Sequence, residues 1–272
     1  MREATGVSLQ LVQLHFRAEP LLDIDQLKLK VEAYLGESVE LAGEDGSWLI
    51  LHTNHRTEFE EGNLPAQTTI MKTEVPNPPD REVIIQQSWS CSDPAERLEG
   101  CTHALLVTEM MARALPPAER VEIFHGVLRA VTELTSPTAM IFSHAQQVVA
   151  PEDYLEACDQ PPMLRPGPLN VRFFNISGSD DEMVMDTRGL NELGLPDLQC
   201  HFRDLDPEKV HQVVFNTAYY IFENGPVIEA GQTVPGTRSG SRWVCQYEDS
   251  LLKPDRVVLD LNPGKRNAGG TR

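Results

Sequence analysis

The sequence predicts an α+β fold, with α/β as the second reading. A mixed β-sheet is expected to be covered by three amphipathic helices near residues 24–35, 117–134 and 207–223. Three observations lead there. Short apolar runs suited to strands recur along the chain, apolar stripes at helical spacing come between them, and prolines or glycines mark most of the changes. At 272 residues the chain can hold one large domain or two modest ones, each with a buried core.

Residues 8–16 have strand character, with an alternation broken near Val12. Ile24, Leu27, Val31 and Tyr34 then fall at helical spacing, with Asp23 placed to cap the helix and Gly36 to end it. Residues 48–52 and 68–72 read as strands separated by the acidic segment 58–62. Three prolines in 75–80 deny that stretch a regular helix or ladder, so it serves as the expected boundary. The resulting division is an N-terminal strand–helix–strand subdomain over 1–75 and an α+β body over 81–261. A Gly-rich, basic tail over 262–272 is read as disordered.

Within the body, 81–89 reads as a short helix and 104–108 as a buried strand. Pro116 and Pro117 open a helix whose stripe is Val121, Phe124, Val127, Leu128, Val131 and Leu134, and Pro137 ends it before a strand at 138–142. Such a strand–helix–strand unit makes the two strands parallel neighbours if they share a sheet. A short helix at 151–158 and a Pro-rich stretch at 160–168 precede a strand at 169–174. In the segment 186–199, Thr187 is placed to cap a turn carrying Leu190 and Leu193. Gly194 would end that turn, and Pro196 leads into a strand from Asp197. Asp206 and Pro207 open the last helix, with Val210, Val213, Val214, Thr217, Ala218 and Ile221 on its buried face.

Composition narrows the function. The formal charge is −18, and residues 1–100 alone carry 18 acidic against 8 basic side chains. Such a surface repels phosphate backbones and anionic lipid, which argues against nucleic-acid and membrane binding, and it attracts basic proteins. No apolar run of membrane-spanning length is present, and the N-terminal residues lack a secretory pattern. Five scattered cysteines point to reduced thiols and a cytoplasmic protein. Cys101 and Cys200 are expected to be buried and Cys158 to react more quickly.

Catalytic signatures are sparse. His52 with His55, Cys101 with His103, and Cys200 with His201 lack the spacing of a metal site, so no metal and no cofactor is expected. Gly-x-Ser-x-Gly, P-loop and dinucleotide-binding patterns are absent. The best candidate for a small-ligand or enzymatic site is Asp186, Thr187, Arg188 and Asp197 with His103. Arg188 is the one member of that turn without a capping role, though Asp186 or Glu192 could pair with it.

The segment 186–199, Asp-Thr-Arg-Gly-Leu-Asn-Glu-Leu-Gly-Leu-Pro-Asp-Leu-Gln, resembles the pattern Thr-x-Gly-Leu-x-x-Phe/Leu-Gly-x-x-Asp/Glu-Leu-Glu. That pattern marks the mostly bacterial domain-of-unknown-function family 4261. Residues 103–108 are similar to the family's His-x-Ala-His-Leu-Leu-Val strand, with only one of its histidines. Residues 225–233 are similar to its Gly-x-x-Ile-x-Asp-Gly-x-Thr turn, with Ala230 in place of the acid. The likeness runs from about Ile84 to Gln232. It implies an association with immunity proteins of toxin systems, including type VI secretion effectors. The function expected is therefore a non-enzymatic acidic protein that occludes a basic toxin. Its contacts would be Glu58, Glu60, Glu61, Asp180, Asp181 and Glu182, because both groups fall in loops expected to be exposed.

Overall fold

The structure, a computed structural model, describes residues 9–59, 62–179 and 181–270. The fold is α+β, built as two compact units that part between Pro168 and Leu169. Two sheets therefore replace the single sheet expected from the sequence.

The first unit contains β1 (Leu11–Phe16), α1 (Ile24–Leu35), β2 (Glu40–Glu44), β3 (Ser47–Phe59) and β4 (Gly62–Thr73). It continues with α2 (Arg81–Gln86), α3 (Pro94–Leu98), β5 (His103–Met110), α4 (Pro117–Thr135), β6 (Ala139–Phe142), β7 (Gln147–Val149) and α5 (Pro151–Ala157). Its sheet runs β2-β3-β4-β5-β1-β6-β7, with every neighbouring pair antiparallel. The strands β5 and β6 on either side of α4 are parallel, as expected, but β1 lies between them and pairs with both. This is a split β-α-β arrangement. The 75–80 segment consequently joins two parts of one sheet, because β4 just before it pairs with β5 just after it. The first 75 residues form no separate subdomain.

Side-chain alternation explains the layering. Val12, Leu14 and Phe16 on β1 join Leu105 and Val107 on β5 and Met140 and Phe142 on β6 in the core shared with α1 and α4. The intervening Ala139 and Ile141 face Ile84 and Leu98 of α2 and α3 instead. β6 is thus buried on both faces, which is why its run is wholly apolar. The caps of α1 are those expected: Asp23 accepts from the Gln26 amide at 3.0 Å, and Gly36 is left-handed at φ 69°. Gly126 lets α4 approach α1, since a side chain there would run into Leu35.

The second unit contains β8 (Asn170–Asn175), β9 (Glu182–Arg188), β10 (Asp197–Arg203), α6 (Pro207–Asn224), β11 (Thr233–Pro235), β12 (Arg242–Asp249) and β13 (Val257–Asn262). Its mixed sheet runs β11-β12-β13-β10-β9-β8, with β10 and β13 the parallel pair. α6 packs on β8, β9 and β10. Asp206 caps it by accepting from the Glu208 amide at 3.0 Å. Its fully buried members are Val210, Val214, Ala218 and Ile221; Val213 is only half-buried, at the margin of the stripe.

The tail differs from its expected disorder through residue 270. β13 pairs only with the first three residues of β10, leaving backbone groups of 201–203 to satisfy. The chain past β13 turns back to supply them. Arg203 donates to the Asn267 carbonyl at 2.9 Å, Gly269 donates to the His201 carbonyl at 3.0 Å, and Ala268 bridges Phe202. A side chain on Gly269 would collide with the His201 ring. Residues 271 and 272 lie outside the described residues. All five cysteines are free; Cys200 is buried as expected, but Cys158 is buried too, with its thiol donating to the Tyr154 carbonyl, and Cys101 is the least covered, so those two are reversed. No helix among the described residues is long and apolar enough to cross a membrane.

Two predictions follow from the packing. Val214→Asp should lower stability by ~3 kcal/mol or more, because it places an unpaired carboxylate in the core. Val213→Asp, at the stripe's margin, should cost about 1 kcal/mol; equal urea midpoints for the two would contradict the packing of α6. The second prediction concerns acid. Burial draws His125 down to about 3 and His15 and His52 to about 4, with Arg165, Arg81 and His55 adding to the respective shifts. These rings stay neutral in the fold while the unfolded chain takes up protons below about pH 6.5. Their stabilising effect is therefore complete above that pH and is lost as pH falls towards 4, by about 1.4 kcal/mol per pH unit for each ring. Urea midpoints measured from pH 7.5 to 4.5 should fall steeply in wild type and less steeply in His125→Phe. A flat wild-type profile would show that the rings are not held neutral.

Candidate functional site

The segment 186–199 lies in the second unit, and its polar residues belong to a buried network larger than the sequence indicated. Register aligns Arg172 of β8 with Asp186 of β9, Asp186 with Gln199 of β10, and Gln199 with Asp260 of β13. Directly opposed residues project to the same side of a sheet, so these four form a polar row across its middle. Arg172 grips Asp186 through both carboxylate oxygens, with Nε to Oδ1 at 2.9 Å and Nη2 to Oδ2 at 2.6 Å. The Phe174 ring lies 5.2 Å from the same guanidinium.

The loop between β12 and β13 closes over this row. Arg256, at its end, donates from Nη2 to Asp186 Oδ2 at 2.7 Å and from Nε to Asp197 Oδ2 at 3.2 Å. It also donates to the Thr187, Leu252 and Pro254 carbonyls. The Leu251 amide donates to Gln199 Oε1 at 2.7 Å, and Arg172 reaches the Lys253 carbonyl. Asp186 is fully buried, with relative exposure 0%, as is Thr187 beside it.

Thr187 caps no helix. It ends within β9 territory, where its hydroxyl donates to Asp197 Oδ1 at 3.3 Å and accepts from the Leu198 amide at 2.8 Å. The turn that follows, Leu190–Leu193, is 3-10 helical, begins after Gly189 at φ 118° and stops at left-handed Gly194. Arg188 is buried near Asp197 and Asp186. Burial pulls its guanidinium below the usual range while both carboxylates oppose the shift. Burial likewise raises the Asp197 carboxyl, against the pull of Arg256 and Arg188.

Asp186, Thr187, Arg188 and Asp197 therefore come together, as expected, but as an enclosed and mutually satisfied cluster. His103 belongs to the first unit, on β5, where its Nδ1 is 2.9 Å from Thr102 Oγ1. Arg172, Gln199, Arg256 and Asp260 were missed by the sequence reading. Their signal was present: each is a charged or amide residue within or beside an apolar strand, where burial demands a partner.

The acidic residues expected to make partner contacts differ among themselves. Glu58 is exposed on β3, in register with Asn63, and Asp181 is exposed beyond β8. Glu60, Glu61 and Asp180 lie outside the described residues. Glu182 is half-buried and engaged: its Oε2 is 3.0 Å from His201 Nε2 and accepts from the Gly270 amide at 3.0 Å. Its carboxylate holds the tail in place and is not presented outward as expected.

The first unit has two further polar clusters. Glu109 and Arg120 form a buried ion pair, joined by Gln10, whose amide and side chain both donate to the Glu109 carboxylate at 3.0 Å. The His55 ring lies between two carboxylates, with Nε2 2.9 Å from Glu37 and Nδ1 2.5 Å from Glu119. The carboxylates meet opposite nitrogens, so they do not converge on one point as metal ligands must. Among the described residues there is no group of three or more His, Cys, Asp or Glu side chains that could hold a metal ion.

Residues 186–262 match the family described as Domain of unknown function (DUF4261). The match supports the resemblance read from the segment 186–199. It contains β10, α6 and the strands through β13, together with Asp186, Asp197, Arg256 and Asp260. The stretch around His103, also likened to the family, lies outside it. No curated protein and no solved structure matches the chain.

Arg256→Met should be strongly destabilising. It leaves Asp197 buried without its guanidinium and strips one of the two that hold Asp186, at a cost of ~3–5 kcal/mol. Adding Asp197→Asn should restore part of that loss. Native-state hydrogen exchange of β9 and β10 reads both; unchanged protection in the single variant would show that the network does not hold the sheet.

Proposed function

We propose that this protein is a non-enzymatic binding protein that occludes a basic partner, in the manner of an immunity protein acting on a toxin. The observation that carries the reading is the shape of the β3–β4 hairpin. β2 pairs with β3 only over 47–51, and β5 pairs with β4 only over 67–73. Between those limits residues 56–59 and 62–65 pair with each other alone, as a two-stranded ribbon extending past both flanking strands. One edge of the ribbon is secured where Thr57 donates to the Met111 carbonyl at 2.8 Å. Its far end carries exposed Glu58, and the sequence there continues with Glu60 and Glu61.

A two-stranded ribbon with exposed Glu58 near its end suits insertion into a cationic channel, where charge speeds encounter and side chains displace the natural anion. The net charge of −18 supports the same reading. So does the enclosure of the Asp186 cluster, whose groups are engaged with one another. The reading puts the protein in the cytoplasm, beside a toxin such as a type VI secretion effector, and the five free cysteines agree with a reducing compartment.

The test is binding to a basic toxin encoded beside this chain. Replacing Glu58, Glu60 and Glu61 together by lysine should weaken the complex by about tenfold or more at low salt, chiefly through slower association. Toxin neutralisation should be lost in parallel. A neighbouring toxin that the wild-type protein neither binds nor neutralises would remove the proposal, and equal affinity of the triple variant would remove the role of the ribbon.

A further inference from the structure

We infer that His55 is a pH-dependent clasp at the root of the β3–β4 ribbon, fastening the ribbon to α4 and to the α1–β2 turn while its ring is charged and loosening it when the ring is neutral. The inference deepens the reading of the ribbon as the element that meets a partner. It rests on that reading for its consequence in binding, but not for its test.

The ribbon needs a fastening because its ladder is interrupted where it leaves the sheet. His52 pairs with Ala66 and Arg56 with Pro65, so β3 carries Thr53, Asn54 and His55 between two adjacent residues of β4. Such an interruption bends a strand and leaves its extra residues without ladder partners. Beyond it, residues 56–59 and 62–65 pair with each other and with no third strand among the described residues. Side-chain contacts at the bulge are therefore what fix the ribbon's orientation.

His55 makes two of them, to separate elements. Its Nδ1 is 2.5 Å from Glu119 Oε1 in the first turn of α4, and its Nε2 is 2.9 Å from Glu37 Oε1 between α1 and β2. Asn54 adds a bond from Nδ2 to Glu37 Oε2 at 2.9 Å. A neutral imidazole has a single N–H, so it donates to one carboxylate and turns a lone pair on the other. Only the imidazolium serves both. Glu37 makes the requirement sharper, because its Oε1 is buried and has no hydrogen bond. The charge on the ring is what compensates that oxygen. Whichever nitrogen keeps its proton on deprotonation, the root is then fastened on one side only.

The surrounding charges do not take over this role. His52, three residues back, is buried and drawn down to about 4, chiefly by burial, so it is neutral where His55 acts. Arg56 donates to the Asn63 carbonyl within the ribbon, and Arg120, next to Glu119, is paired with Glu109. Pro65 and Ala66 on the facing strand bring no charge. The His55 side chain is 21% exposed, so its proton exchanges with solvent. The sign is opposite to that of the buried rings: the clasp is present at low pH and is lost as pH rises through the deprotonation of the ring.

The test is amide exchange of residues 56–59 and 62–64 in the free, full-length protein, corrected for intrinsic rates, from about pH 6 to 9. The His55 ring protons are followed by NMR in the same samples, and amides of β1 and β5 serve as the reference. Ribbon protection should fall by about tenfold or more as the ring gives up its proton, with the reference unchanged. His55→Gln should show the lower protection at every pH. In Glu37→Gln the new amide can donate to a neutral ring, so protection should stay at its low-pH value throughout. Protection that holds while the ring titrates, a ring whose charge does not change over the range, or a pH dependence retained in His55→Gln would each overturn the clasp. No partner enters the measurement, so the clasp can fail while a toxin still binds the ribbon, and the reverse.

Discussion

The second unit depends on one buried carboxylate. Asp186 lies on β9 between β8 and β10, without access to water, and is held by two guanidinium groups that come from separate parts of the chain. An isolated carboxylate in that position would be costly by several kcal/mol, and so would either arginine without it. The arrangement is therefore strongly conditional: β8 must bring Arg172 opposite Asp186, and the β12–β13 loop must bring Arg256 over the top. A shift of one residue in β8 would turn Arg172 to the other face of the sheet. The ion pairs act less as a source of net stability than as a penalty on every other register.

The same constraint accounts for local features that otherwise look unrelated. The β12–β13 loop is ordered because its carbonyls at Leu252, Lys253 and Pro254 serve the two arginines and its Leu251 amide serves Gln199. Thr187 has no capping role because its hydroxyl is needed at the start of β10, next to Asp197. Arg188, which local reasoning left without a task, adds a third positive charge near Asp186 and Asp197. The three arginines, from β8, β9 and the loop before β13, outnumber Asp186 and Asp197, and Asp260 of β13, in register with Gln199, adds a third carboxylate to the same row.

What could be read in advance divides along the same line. Elements specified by neighbours in sequence were legible: Asp23 and Gly36 bound α1, Asp206 and Pro207 open α6, and Gly194 with Pro196 closes the turn before β10. Features specified across long separations were not. Nothing local places β1 between β5 and β6, and nothing near residue 172 announces a partner at 256. Val213 and Val214 are equivalent by type, and only the sheet beneath α6 decides which is buried. The tail looked disordered because it lacks large apolar residues, whereas its order comes from backbone groups that β10 leaves unpaired. Among the residues named as a ligand site, the four from 186–197 do cluster, but their chemistry is inverted. Polar residues gathered at a strand end suggest an opening for a ligand, and here a loop supplied from elsewhere closes it.

That closure bears on how the protein can work. A site that performs acid–base or nucleophilic chemistry keeps at least one group within reach of substrate. In the Asp186 cluster the carboxylate oxygens are already engaged by guanidinium donors and the groups are shielded from solvent. Its effect is to fix the register of β8, β9 and β10, on which α6 packs. A support of that kind is in keeping with the proposed binding role, since a partner gains affinity when the surface it meets need not be ordered on contact. The first unit follows the same division. The Glu109–Arg120 pair and Gln10 lie inside, and Glu109 is close in sequence to Met111, whose carbonyl secures Thr57 of the ribbon. In both units the buried ions are positioned to hold a framework, while the groups free to meet another molecule lie outside it.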